Sequence, residues 1–242
     1  MAMPGETFAS VLMTDLQSDV HVHGTTRRAA KSAKIGSVGV LVTSSALLIQ
    51  VTYTLRTTKQ MPTGWAQFGL HPLLMTLAFG FLAPIAVTSY RGLEDICNLK
   101  HGKAKALHAF LMSSSLACGI AGVVDMWIVH SAGGPGNHLI SVHSWLGLAT
   151  LIAFAFQWLS GFLAFYTPVM ERIVTARAWL PAHIFIGCFS IFGTLASIAL
   201  GILSLEGRGE KPDQIQFKVA SLLTLLLAMF VGLALNGGRN RQ

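Results

Sequence analysis

Residues 139–167 read LISVHSWLGLATLIAFAFQWLSGFLAFYT, with no Asp, Glu, Lys or Arg and a single histidine, His143, near the start. About 20 apolar residues in a helix cross roughly 30 Å of hydrocarbon, so this run is long enough to span a bilayer. Inside lipid every backbone N–H and C=O must pair within its own segment, which makes such a run a helix rather than a strand. Five further stretches pass the same test: Ile35–Leu55, Ala66–Ser89, Ala104–Val129, Trp179–Leu205 and Phe217–Leu235. The fold expected is all-α, a polytopic membrane protein with six transmembrane helices in one bundle. The division expected is a polar cytoplasmic tail at 1–34, the six-helix domain at 35–235 and a short cytoplasmic tail at 236–242.

Composition agrees with that reading. Of the 242 residues only 11% are charged and 52% are hydrophobic, and the mean hydropathy is +0.59. Intrinsic disorder needs the opposite balance, and a water-soluble surface needs roughly a quarter to a third of its side chains charged. The net charge of +7 would suggest nucleic acid in a soluble chain. Its distribution explains it otherwise. Twelve basic residues fall on one side of the six spans: Arg27, Arg28, Lys31, Lys34, Arg91, Lys100, Lys103, Lys105, Arg172, Arg177, Arg239 and Arg241. Five fall on the other: Arg56, Lys59, Arg208, Lys211 and Lys218. Positive residues collect on the cytoplasmic side, so both termini are expected there and no nucleic acid is needed. The tail has no apolar run after a basic start, so it reads as retained rather than as a cleaved signal. Met1-Ala2 is not a myristoylation start. Cys97, Cys118 and Cys188 form no CxxC or metal-ligand spacing.

The chemistry lies in the histidines. Of nine, four fall inside the spans: His71, His108, His143 and His183. An ionisable side chain in a spanning helix is costly and points to function, although a single histidine near a helix end can simply bond a carbonyl. The four sit near the N-terminal ends of four consecutive helices, which run in alternating directions. His71 and His143 therefore share the outer side, and His108 and His183 the cytoplasmic side. Bundles build cofactor sites from side chains on facing helices. Two imidazoles opposed across a core suit the two axial positions of one haem iron, giving two b-type haems, one near each face. Met75 and Met112 follow His71 and His108 by four residues, and Gly147 and Gly187 follow His143 and His183 by four, one helical turn along the same face. Glycine would let a porphyrin edge approach the backbone, and methionine would pack against it.

Other uses of four histidines fit less well. Zinc draws its ligands to about 2 Å from one ion, which two pairs at opposite faces cannot do. A proton relay usually recruits intramembrane carboxylates, and here only Asp125 qualifies, beside Trp127 and His130. No CxxCH is present for covalent haem. A haem with both axial positions filled passes electrons rather than binding oxygen. The chain has no Gly-x-Gly-x-x-Gly for a nicotinamide or flavin domain. Its donor is then a small molecule or a partner protein. Two readings stay beside this one: a haem-free transporter whose histidines line a metal or substrate path, and a haem-bearing anchor serving a partner reductase.

These residues resemble the cytochrome b561 family of ascorbate-dependent transmembrane reductases, from residue 36 to about 235. The resemblance rests on HPLLM at 71–75, Tyr90-Arg91, SVHSWLG at 141–147 and PAHIFIG at 181–187, with the four histidines in register. It implies an outer haem on His71 and His143 and an inner haem on His108 and His183. It also implies an ascorbate-dependent oxidoreductase: cytoplasmic ascorbate as donor, monodehydroascorbate or a ferric chelate as acceptor, and a possible homodimer in the bilayer, of a kind found in endomembranes and plasma membranes alike. Lys105, Arg177, Lys103 and Arg91 surround the inner mouth and suit an anionic reductant. On the outer side His138 and His130 are candidates for the acceptor. Leu139, Ile140, Ser141 and Val142 stand where family members often carry a tyrosine.

Overall fold

The computed structural model describes residues 8–134, 136–167, 174–206 and 215–237, with backbone alone for 8–27, 91 and 237. Six rods follow in order. They are α1 (Phe8–Thr57), α2, α3 (His101–Ala132), α4 (Val142–Tyr166), α5 (Ala176–Glu206) and α6 (Ile215–Gly237). α2 runs through Leu70–Met75, Ala83–Thr88 and Glu94–Ile96, with wide π turns at Thr76–Leu82 and Ser89–Leu93. Each rod contains a segment long and apolar enough to cross a membrane, and the described residues include no strand. The molecule is an integral, multi-pass membrane protein.

The helix ends differ from the apolar runs for local reasons. α4 starts at Val142 rather than Leu139, because Ser141 caps it. The Ser141 hydroxyl accepts from the Ser144 N–H at 3.2 Å, and the Ser144 hydroxyl accepts from the Ser141 N–H at 3.1 Å. This is the reciprocal pairing of a capping box. Leu139 before it is left-handed, with φ 54°. α2 begins at Leu70 rather than Ala66, since Ala66 has φ 59° and its N–H donates to Asp125 Oδ1 at 2.6 Å. α1 reaches back to Phe8, through the stretch expected as a tail, and its membrane-crossing part begins at Arg28.

The π turn in α2 follows from Pro84. Proline offers no N–H and its ring crowds the carbonyl four residues back, here Gly80. The ladder widens to five: the Ala83 N–H donates to Ala78 O. Ala78 O also accepts from the Ser115 hydroxyl of α3 at 2.8 Å. The turn adds one residue between the two ends of α2, which matters below.

α1 packs along α6, α2 along α3 and α4 along α5. In lipid, helix association rests on close van der Waals fit at small residues. A Cβ on Gly36 would lie 2.4 Å from the Ala234 backbone nitrogen. Val40, Leu47, Leu227 and Val231 are buried beside this contact. Phe79 and Phe154 meet edge to face at 5.2 Å in the same core. Large apolar side chains such as Ile49, Phe110, Phe185 and Met229 are exposed. On a membrane helix they face lipid tails, where exposure has no hydrophobic cost.

Candidate functional site

His71 enters at the first turn of α2, and its Nδ1 lies 2.9 Å from Gly122 O on α3. His143 enters at the first turn of α4, with Nδ1 2.9 Å from Ser197 O on α5. A carbonyl only accepts, so each Nδ1 carries the proton and donates it, which leaves the Nε2 lone pair free. Ring orientation and tautomer are set together, as in metal sites where a ligand's second nitrogen is held by a carbonyl. The two rings stand 6.0 Å apart between centres with planes 87° apart.

That spacing can be compared with metal chemistry. An ion about 2 Å from each of two imidazole nitrogens, each about 1.1 Å from its ring centre, separates the centres by about 6 Å. The pair lines a cavity of about 360 Å³ whose walls include Met75, Phe79, Trp127 and Leu151. The size and apolar lining suit a cofactor. These residues fit an iron held between two neutral imidazoles.

On the other side His108 donates from Nδ1 to Ala86 O at 2.9 Å, a carbonyl of α2. The ring of Tyr90 is 5.3 Å from His108, and that of Phe165 is 5.1 Å from His183. The Nδ1 of His183 meets a side chain rather than the backbone: Gln157 Nε2 of α4, at 2.8 Å.

The four partners share a register. In α4, Gln157 and Gly161 follow His143 by 14 and 18 residues; in α5, Ser197 and Gly201 follow His183 by 14 and 18. The antiparallel pair is reciprocal. His143 bonds Ser197 O and lies on Gly201, where a Cβ would come 3.0 Å from its Cε1. His183 meets Gln157 and lies on Gly161, where a Cβ would come 2.7 Å from its Cε1. In α2 and α3 the same rule places Gly122 at 14 residues after His108, while Ala86 comes 15 after His71. The extra residue is the one taken up by the π turn. Gly161, Gly201 and Gln157 were missed in the sequence, although this spacing is visible once two helices are known to be antiparallel neighbours. Gly147 lines the cavity, and Gly147 and Gly187 also sit at a close helix contact. A Cβ on them would meet Ser197 Oγ at 3.0 Å and Gln157 Nε2 at 3.1 Å, so they bring α4 and α5 together.

The remaining candidates are distributed as follows. Lys105 Nζ donates to Phe165 O at 2.6 Å and sits 4.5 Å from the Tyr166 ring centre, whose hydroxyl donates to Lys105 O at 2.9 Å. Lysine therefore joins the start of α3 to the end of α4. Lys103 and Arg177 are exposed near the same end. The side chains of Arg27 and Arg91 lie outside the described residues, as do Pro135 and, among the topological charges, Arg172, Arg208, Lys211, Arg239 and Arg241. Tyr90 lies between His101 and His108, and burial, then Tyr166 and Glu94, push its hydroxyl well above the usual tyrosine range. At the end of the bundle that holds His71 and His143, His138 stacks on Trp127 at 3.9 Å, with His130 6.0 Å away. Asp125 is fully buried; its Oδ1 secures the Ala66 turn, and its Oδ2 has no hydrogen-bond partner.

Fold and site thus define a membrane bundle with half-buried imidazoles set between its helices. Residues 70–206 match the family described as eukaryotic cytochrome b561, and the chain belongs to that family. Among its relatives is a protein of Oryza sativa subsp. japonica named probable ascorbate-specific transmembrane electron transporter 2. It is 34% identical over 167 residues, which is 67% of this chain and 69% of that one. Transmembrane ascorbate ferrireductase 1 of Arabidopsis thaliana is 30% identical over 173 residues, 68% of this chain and 69% of that one. A plasma membrane ascorbate-dependent reductase of Xenopus laevis is 34% identical over 137 residues, 57% of this chain and 47% of that one.

Proposed function

We propose that this protein carries single electrons across a membrane, from cytoplasmic ascorbate to an acceptor on the far side. His71 and His143 would hold one b-type haem near the outer face, and His108 and His183 another near the cytoplasmic face. The observation that carries the reading is the 6.0 Å separation of the His71 and His143 rings, with both Nδ1 protons held by backbone carbonyls. When bound, such a haem would supply a one-electron couple.

The chain's own groups do the remaining work. Fixed Nδ1–H donors hold His71, His108 and His143 ready and neutral, and apolar side chains such as Phe79 and Leu151 wall the cavity. Lys103, Lys105, Arg177 and Arg91 collect at the cytoplasmic mouth and favour an anion, as ascorbate is at neutral pH. His138 and His130 stand at the outer cavity and offer imidazole nitrogens to an acceptor. The names of the relatives support ascorbate as donor, and the ferrireductases among them support a ferric chelate as acceptor beside monodehydroascorbate. With the basic residues on the inside, both termini face the cytoplasm.

The test is optical. Purified protein should show a Soret band and a b-type alpha band that ascorbate brings up. Protein without those bands overturns the reading. His183→Ala should remove one of two haems, and His143→Ala the other.

A further inference from the structure

Four buried side-chain polar atoms have no hydrogen-bond partner among the described residues: Asp125 Oδ2, Gln157 Oε1, Ser221 Oγ and Trp179 Nε1. Three are oxygens, which can accept. The indole N–H of Trp179 can only donate. A buried donor left unpaired costs its full desolvation, and such an orphan calls for an acceptor from outside the chain.

Trp179 stands in the first turn of α5, four residues before His183. Residues four apart share a helix face, with Cβ atoms about 5–6 Å apart. The indole is therefore one turn from a histidine assigned to the inner haem, toward the start of α5, where Arg177 is exposed. Its backbone N–H is satisfied by Thr175 O at 3.0 Å, so only the ring nitrogen is left over. A tryptophan at a membrane interface usually gives its N–H to water or headgroups. Here the residue is partly exposed but Nε1 itself is buried, so neither reaches it.

The chemistry of the acceptor follows. Haem b is apolar apart from its iron and its propionate carboxylates, which only accept when ionised. A carboxylate gains about twice as much from an N–H as a neutral oxygen does. Ascorbate, the other anion expected at this end, suits the exposed cations of Lys103 and Arg177.

We propose that the indole N–H of Trp179 holds a propionate carboxylate of the inner haem, a cofactor contact beyond the axial histidines. This rests on the haem reading above and adds to it a residue that secures one haem and not the other.

The experiment compares wild type with Trp179→Phe, which keeps an aromatic ring and removes the N–H. Each full-length apoprotein is reconstituted with haem b or with its dimethyl ester, and haem transfer to apomyoglobin is timed. His183→Ala identifies the inner component. With haem b, Trp179→Phe should speed loss from the inner site about tenfold, the order of one charge-assisted bond, and leave the outer site unchanged. With the ester, wild type and variant should lose the inner haem at similar rates. Equal acceleration with both haems would make the effect one of packing and overturn the proposal, as would unchanged rates with haem b. Normal haem retention with a raised ascorbate requirement would also overturn it, because the donor would then serve the reductant. Where the variant or the ester fails to load, ultraviolet resonance Raman of wild type against His183→Ala decides. One indole N–H that becomes hydrogen-bonded with the inner haem supports the proposal, and none refutes it. Wild type without haem at either site would instead remove the functional reading, and the proposal with it.

Discussion

Lys105 shows how one residue can serve two purposes. Its ammonium already donates to the Phe165 carbonyl in the last turn of α4 and lies over Tyr166, where a cation also meets the negative end of the helix dipole. Arg177 at the same mouth is exposed. The two should separate experimentally. Arg177→Ala should raise the ascorbate concentration for half-reduction about two- to fivefold, the worth of one exposed ionic contact, with Tm unchanged. Lys105→Ala should raise it similarly and also lower stability by about 1 kcal/mol. Stopped-flow reduction and thermal unfolding measure the two effects. Tyr90 gives a pH dependence. Its folded pKa is raised above the ordinary value of 10.0 by burial first, so its contribution is complete below pH 10 and is lost as pH rises through the higher folded value. Tm should fall across alkaline pH in wild type, and less so in Tyr90→Phe.

Among the elements, α4 and α5 carry the most specific prediction. Their reciprocal register puts Gly161 under His183 and Gly201 under His143. Gly161→Ala adds a methyl 2.7 Å from a ring atom, where the ring must move and the neighbouring helix cannot. Haem per protein should drop by about half in that variant. Gly102→Ala on α3 serves as control, because a Cβ there meets nothing within 4 Å. A pyridine haemochrome assay reads both, and equal haem content would remove Gly161 from the site. At the start of α4, Ser141→Ala deletes half of the capping box and should cost about 1 kcal/mol, read as a lower Tm. α2 shows why element boundaries resist prediction. Apolar counting places the span, but Pro84, with no N–H to give, and the Ser115 hydroxyl on Ala78 O decide where the ladder widens.

For the whole molecule the orientation can be tested with the native thiols. Cys97 is exposed between α2 and α3, whereas Cys118 and Cys188 lie within spans and are part-buried. In sealed right-side-out vesicles a membrane-impermeant maleimide should leave Cys97 unmodified until the cytoplasmic face is opened. Labelling from the outside would invert the topology, and with it the side assigned to ascorbate.

The six spans and the four histidines were legible in the sequence because both depend on periods a single helix carries. Length and hydropathy report the crossing of hydrocarbon, and charge at the loops reports its direction. The partners of those histidines were not legible. Which carbonyl receives each Nδ1 proton depends on how far neighbouring helices slide past one another, and that is set by close contacts such as Gly187 on Gln157 and by the extra residue in the π turn of α2. In the sequence Gln157 is one polar residue in an apolar run. Only the packing of α4 against α5 brings its amide to His183, since that contact joins residues 26 apart in the chain, beyond the reach of any period within one helix.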